Sequence, residues 1–345
     1  MPQVSAIHVI TSESAGTVLA AIRRHLPGTS WSAARALLAQ HRIAVNGILC
    51  VDEARRLVAG DRLEVRSRAL PPPPTDRDIA ILYLDEHLVV AHKPSGMLTV
   101  RHPGDVNWSP EKKLRQPALE ESLERLISQR ERAHRGHRKN APPAHSAAQT
   151  RAPADAHSAK LFTVHRIDRE TSGIVLFART EVAQNLLIRQ FAAHTIHRRY
   201  LCVIPGFLAA QTLRSVQIRD RGDGLRGSTE DIEVDGRTMV THIRPLREFA
   251  AFTELECRLE TGRTNQIRIQ LAELSHPLCG DVKYRGPHTA PEIPDHSHAP
   301  RLALHAAELG IAHPMSNAPL RWTSHWPTDI LRWLAGLKSS PTLSR

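Results

Sequence analysis

The chain has 345 residues, enough for a well-buried core and for two domains. Its 46 Lys and Arg against 35 Asp and Glu give a formal charge of +11, which favours a polyanionic partner, with nucleic acid ahead of a membrane surface. Cys50, Cys202, Cys257 and Cys279 are far apart and form no C-x-x-C pair, which argues against a zinc finger and a disulfide framework and fits a reducing cytoplasm. No apolar run approaches the ~20 residues of a membrane span, and no signal-peptide pattern opens the chain, so no membrane role is expected. Aromatics at 4% are too few for broad stacking platforms but leave room for one stacking residue in a pocket.

Residues 14–66 read as a small α+β module. Helices are predicted over 17–25 and 32–40, broken by Pro27-Gly28, with Ser30 or Ser32 as cap. Residues 43–45 form a short strand ending at the turn signal Asn46-Gly47, and Gly60-Asp61 turns into a strand over 62–65. Pro71 to Pro74 sit in a stiff polyproline-like linker, 67–76, and a larger domain is expected over 77–335. That domain opens with strands over 79–83 and 88–91, followed by the turn His92-Lys93-Pro94-Ser95-Gly96-Met97.

Residues 119–127 carry Leu119, Leu123 and Leu126 at helical spacing. Residues 129–157 are rich in Ala, Pro, His and Arg without apolar periodicity and read as a flexible basic insertion. His134, His137, His145 and His157 lie in it, but no Cys or acidic ligands converge with them, so no metal site is expected.

The most informative stretch follows. Residues 161–167 alternate as a half-buried strand does, Thr171-Ser172-Gly173 is turn chemistry, and 174–178 is an apolar run of buried-strand length. Asp168 therefore falls where a strand has just ended, a place from which a rigid scaffold can present a carboxylate to a cleft. A helix capped by Thr180 comes next, then a strand containing Tyr200, hairpins over 214–247, and an alternating strand over 252–259. Thr264 is the expected cap of a last helix with Ile267, Leu271 and Leu274 on one face and Arg268 on another.

His165-Arg166-Ile167-Asp168-x-x-Thr171-Ser172-Gly173 resembles the catalytic signature of RluA-type pseudouridine synthases. Arg198-x-Tyr200 and the segment from Thr261-Gly262-Arg263 through Gly280-Asp281-x-x-Tyr284 match two further motifs in the family's order, and Lys93-Pro94-x-Gly96 and Leu302-x-Leu304-His305-Ala306 match its opening and closing segments. Ser30-x-Ser32, Ala34-Arg35-x-Leu37-Leu38, Val45-Asn46-Gly47 and Gly60-Asp61-x-Leu63 resemble an S-four-like RNA-binding domain, with Trp31 where that domain has a basic residue.

The resemblance implies an α+β fold with a mixed, largely antiparallel sheet and a cleft near Asp168, preceded by the small α+β RNA-binding domain. It implies an isomerase that turns uridines within RNA into pseudouridine. Ribosomal RNA is favoured and transfer RNA left open, the chain is expected to act as a monomer, and no cofactor is needed because nothing is oxidised and no group is donated. Asp168 would act as nucleophile or as base on a flipped-out nucleotide. Arg268 would be its ion-pair partner and favour its charged form, Tyr200 would stack on the target base, and Arg166 would brace the vacated space. Arg35, Arg42 and Arg198 would contact RNA. Asn265 and Gln270 stand where the family has His; by that analogy neither is a core catalytic position. A nucleoside or DNA glycosylase, which would release free base, and a non-catalytic RNA-binding protein are the competing readings.

Overall fold

The computed structural model describes residues 8–11, 16–45, 48–58, 60–67, 69–139, 160–222, 224–229 and 236–338. The turn at Asn46-Gly47, residues Asp223 and Asp235 of the expected hairpin turns, and 140–157 of the expected insertion lie outside these.

The first part of the chain has its own core. Val18–His25 and Trp31–Ala39 are helices capped by the hydroxyls of Thr17 and Ser30, which accept from the Ala20 and Ala33 amides. Val18, Ile22, Ala34 and Leu38 pack from them onto Ile43, Val45, Leu63 and Val65 of a four-stranded sheet. Residues 70–75, which include all four prolines, have no regular structure.

The rest is built on an eleven-stranded sheet. From one edge its strands run Gly227–Thr229, Gln211–Ile218, Arg237–Glu248, Phe252–Leu259, His197–Pro205, Leu304–Ala312, Ser172–Ala178, Leu88–Lys93 and Ala80–Leu84. Pro319–Thr323 and Phe162–Thr163 pair beside Leu304–Ala312 and Ser172–Ala178. All these pairs are antiparallel except one: Ser172–Ala178 runs parallel to Leu304–Ala312, through the two pairs Ser172↔His305 and Gly173↔Ala306. The two halves of the sheet join there.

Residues on alternate sides of the strands bury on different faces. On one face Val89, Val175, Phe177, Cys202 and Leu255 pack against Leu119, Leu123 and Ile127 of the helix Leu119–Lys139 and Ile267 and Leu271 of the helix Gln266–Glu273. On the other, Ala183 and Leu187 of the helix Glu181–Ala192 cover Val90, Ile174 and Leu176, and Ile330 and Leu334 of the helix Thr328–Ala335 cover Leu201 and Val203. This is the α+β class with a mixed, largely antiparallel sheet.

Three expectations change. The helix expected to stop at Ile127 runs on to Lys139, so residues 129–139 are not a flexible loop. Over 128–133 its side chains are exposed or half-buried, but the stretch is rich in helix formers, and an ion pair from Glu131 to Arg179 at 2.6 Å holds it. The strand expected over 161–167 is only Phe162–Thr163. Further on, side chains replace the ladder: the Leu176 amide donates to His165 Nε2 at 3.0 Å, and the Thr99 hydroxyl accepts from Ile167 N and donates to Ile167 O. Thr264 does not cap the last helix. Asn265 is the N-cap residue, in the left-handed region at φ 59°, and Gln266 folds its carbonyl oxygen back onto the Arg263 amide at 3.0 Å.

Gly173 marks the tightest approach of the two half-sheets. Its φ is +124°, and a Cβ there would overlap the Ala306 backbone. Gly173→Ala is expected to destabilise the protein by about 3 kcal/mol or more, measured as a loss of unfolding free energy in urea.

Candidate active site

Asp168 lies four residues before the two-residue parallel ladder, on the loop that leads into Ser172–Ala178. That loop is clamped by the turn after Leu88–Lys93. Lys93 is fully buried, and its ammonium donates to the carbonyls of Pro94, Met97 and Arg169 at 3.0, 2.7 and 3.0 Å. Ser95 donates to Glu170 O, Gly96 N to Arg169 O, and Arg169 Nε to Gly96 O. Burial pushes the Lys93 ammonium down to about 7, against the pull of the Glu170 and Asp168 carboxylates. The Lys93-Pro94-x-Gly96 segment thus sets the position of Asp168, a role that nothing local to Lys93 reveals.

Arg268 arrives from the other half of the sheet, on the buried helix Gln266–Glu273. It is 2% exposed. Nε and Nη2 make a bidentate pair with Asp281, both bonds 2.7 Å, and Asp281 Oδ1 also accepts from the Lys283 and Tyr284 amides. Nη1 is left for the loop: it is 3.7 Å from Asp168 Oδ2, 3.8 Å from Glu170 Oε2, and donates to Asn265 Oδ1 at 3.3 Å. Burial alone would weaken the hold of Arg268 on its proton, but Asp281, then Asp168 and Glu170, more than offset it. The same pairing holds the Asp281 carboxyl below its ordinary range despite burial.

Asp168 goes the other way. Its side chain is 18% exposed, and burial raises its pKa; Arg268 pulls it down, Glu170 pushes it up, and Arg166 and Lys93 pull down less. Arg268 favours the charged form, but burial outweighs it.

A cavity of about 50 Å³ opens against this carboxylate. Asp168, Thr171, Tyr200, Arg268 and Asn265 line it together with Gln266, Ile267, Leu304 and Leu259, with the exposed Arg166 and with Arg263. Tyr200 comes from His197–Pro205 and is 9% exposed. Burial raises its pKa, so it stands neutral near pH 7.

The structure thus brings Asp168, Arg268, Tyr200 and Arg166 to one cavity. Arg198, Arg35 and Arg42 are elsewhere. Arg198 Nη2 donates to the carbonyls of Leu259 and Glu260, and its guanidinium lies 5.4 Å from the centre of the Phe191 ring, which stacks on His165. Arg35 is exposed and pairs with Glu53 at 3.0 Å, and Arg42 Nε donates to Arg66 O at 2.7 Å. Asn265 lines the cavity, accepts from Arg268 and donates to the Tyr284 hydroxyl at 3.0 Å. Gln270 donates to Ser215 Oγ and accepts from Thr241, away from the cavity. Asp281 and Lys93 both stood inside quoted motifs, yet only the tertiary contacts show what they hold. Among the described residues no three His, Cys, Asp or Glu side chains come together as a metal site needs, and no helix is long and apolar enough to cross a membrane.

A model of the RNA pseudouridylate synthase family matches residues 87–273, more than half of the chain. The chain belongs to the RNA pseudouridylate synthase family. It is an isomerase acting on RNA. Among curated members, ribosomal large subunit pseudouridine synthase D of Xanthomonas campestris is 34% identical over 80% of this chain and 73% of its own length, and that of Nitrosomonas europaea 31% over 84% and 73%. A solved human RNA pseudouridylate synthase domain protein superposes with a TM-score of 0.55 at 16% identity, over 80% of this chain and 94% of that one, which shows the shared fold.

In this synthase, Asp281 is the partner that keeps the Arg268 guanidinium from being buried uncompensated. Asp281→Asn is expected to cost about 3–5 kcal/mol at pH 7, measured by urea unfolding. Because the folded-state pKa of Asp281 is lowered, this stabilisation is present above its unfolded value and is lost as pH falls through the folded one, so the loss on mutation shrinks in acid.

Proposed function

We propose that this enzyme isomerises uridines in ribosomal RNA, with Asp168 as the acting carboxylate. The observation that carries the assignment is the Asp168 carboxylate set in the cavity wall, 3.7 Å from Nη1 of a guanidinium that Asp281 holds rigid. Isomerisation breaks the bond between N1 of uracil and C1′ of ribose and joins C5 to C1′; C5 loses its proton and N1 gains one. Asp168 in its ionised form serves either route, as nucleophile or as base. Arg268 aims it and offsets its charge. Tyr200, apolar in body and neutral, offers its ring to the uracil, and Arg166 at the exposed rim fills the gap left by the flipped nucleotide.

Residues 14–66 are read as the S-four-like RNA-binding domain, 67–76 as its linker and 77–335 as the catalytic domain. The separate core around Val18, Ile22 and Leu63 supports that division. Arg35 is exposed on its helix, where a phosphate can compete with the surface pair to Glu53. Ribosomal RNA as substrate rests on the names of the similar enzymes. The reading extends to a cytoplasmic monomer; four buried, free cysteines suit a reducing compartment.

Tritium release from RNA labelled at uracil C5 tests this directly. Wild type is expected to release tritium from ribosomal RNA, and Asp168→Ala to be slower by roughly a thousandfold or more. Release from transfer RNA alone would shift the substrate, and free uracil as product would make the enzyme a glycosylase. Because burial raises the Asp168 pKa, the ionised form is lost as pH falls through a value above the ordinary ~3.9 of Asp. The acid limb of the single-turnover rate is expected above that value.

A further inference from the structure

Thr171 follows Asp168 by three residues, and its amide donates to Asp168 O at 3.2 Å. It is 1% exposed and lines the cavity. Its hydroxyl has no hydrogen-bond partner among the described residues. The two amide side chains in the same wall are satisfied. Gln266 accepts from Thr261 and Arg263 and donates to Val240 and Thr241, and Asn265 is occupied by Tyr284 and Arg268. The adjacent Ser172 hydroxyl is bound to His305 Nδ1 at 2.9 Å. A buried hydroxyl without a partner destabilises the protein that carries it. An orphan of this kind beside the acting carboxylate is the pattern of a group whose partner arrives with the substrate.

We infer that the Thr171 hydroxyl donates to a carbonyl oxygen of the flipped uracil. This rests on the reading of Asp168 as the acting carboxylate. When the bond from N1 to C1′ breaks, its electron pair stays on the uracil and spreads onto the two ring carbonyl oxygens. A donor fixed there before the reaction stabilises that charge without reorganising. The hydroxyl keeps its proton throughout, so the step requires no other reactant. Arg268 cannot serve in its place, because two of its arms are held by Asp281 and the third faces the loop carboxylates.

Thr171→Val and Thr171→Ser in the full chain separate this role from a structural one. Three quantities are compared with wild type and Asp168→Ala: the thermal midpoint, affinity for ribosomal RNA, and the single-turnover rate of tritium release. Thr171→Val is expected to keep or raise the midpoint, to bind RNA within about twofold, and to react about 10- to 100-fold more slowly. Thr171→Ser, which retains the hydroxyl, is expected to react within about threefold of wild type. A wild-type rate in Thr171→Val overturns the inference. So does a lowered midpoint in that variant, since it would mean the hydroxyl already has a partner in the free protein. A Thr171→Ser enzyme as slow as Thr171→Val assigns the effect to the methyl group and also overturns it. Failure of the underlying reading shows separately, as tritium release by Asp168→Ala at the wild-type rate.

Discussion

A guanidinium that is 2% exposed must be paired, and the pairing of Arg268 organises the site. Asp281 takes two of its nitrogens in a flat, bidentate arrangement that a lysine could not reproduce. The third nitrogen then has one direction left, toward Asp168 and Glu170. Orientation is thus decided away from the reacting atoms, by a carboxylate whose own backbone bonds fix it in the 281–284 turn. The left-handed Asn265 starts the helix and sets its side chain between Arg268 and Tyr284, so the same few residues shape the backbone and restrain the cation.

The carboxylate side is restrained by different means. Lys93 brings a positive charge into the core and shares it among three carbonyls, one of them in the loop that carries Asp168. Burial dominates the ionisation of both groups, lowering the Lys93 pKa and raising that of Asp168. The single parallel ladder, closed at Gly173 against Ala306, is where the two restrained halves meet. A site divided between two half-sheets needs such a close, inflexible seam if a separation of 3.7 Å is to persist.

Much of this was legible in the sequence for identifiable reasons. Ser30 and Thr180 cap helices through local hydroxyl–amide bonds, and local chemistry is what a single sequence records best. The stretch around Asp168, Tyr200 and Arg268 was recognisable as three motifs in order. The strand over 161–167 failed because His165 and Thr99 take the hydrogen bonds a ladder would have made, and Thr99 is distant in sequence. Asp281 and Lys93 were visible as residues but not as partners, since their roles exist only in contacts across 13 and 76 positions. Arg42 and Arg198 looked like surface cations because nothing local shows that Arg66 and Glu260 carbonyls would receive them.

The central claim is that Arg268 acts on Asp168 by charge while burial acts against it. Titration of the Asp168 carboxyl carbon by NMR, assigned by difference with Asp168→Asn, measures this without any turnover. In Arg268→Gln, with circular dichroism confirming the fold, the Asp168 midpoint is predicted to move further up from its already raised wild-type value. An unchanged midpoint would contradict the account, because it would mean that the guanidinium 3.7 Å away does not govern the ionisation of this carboxylate.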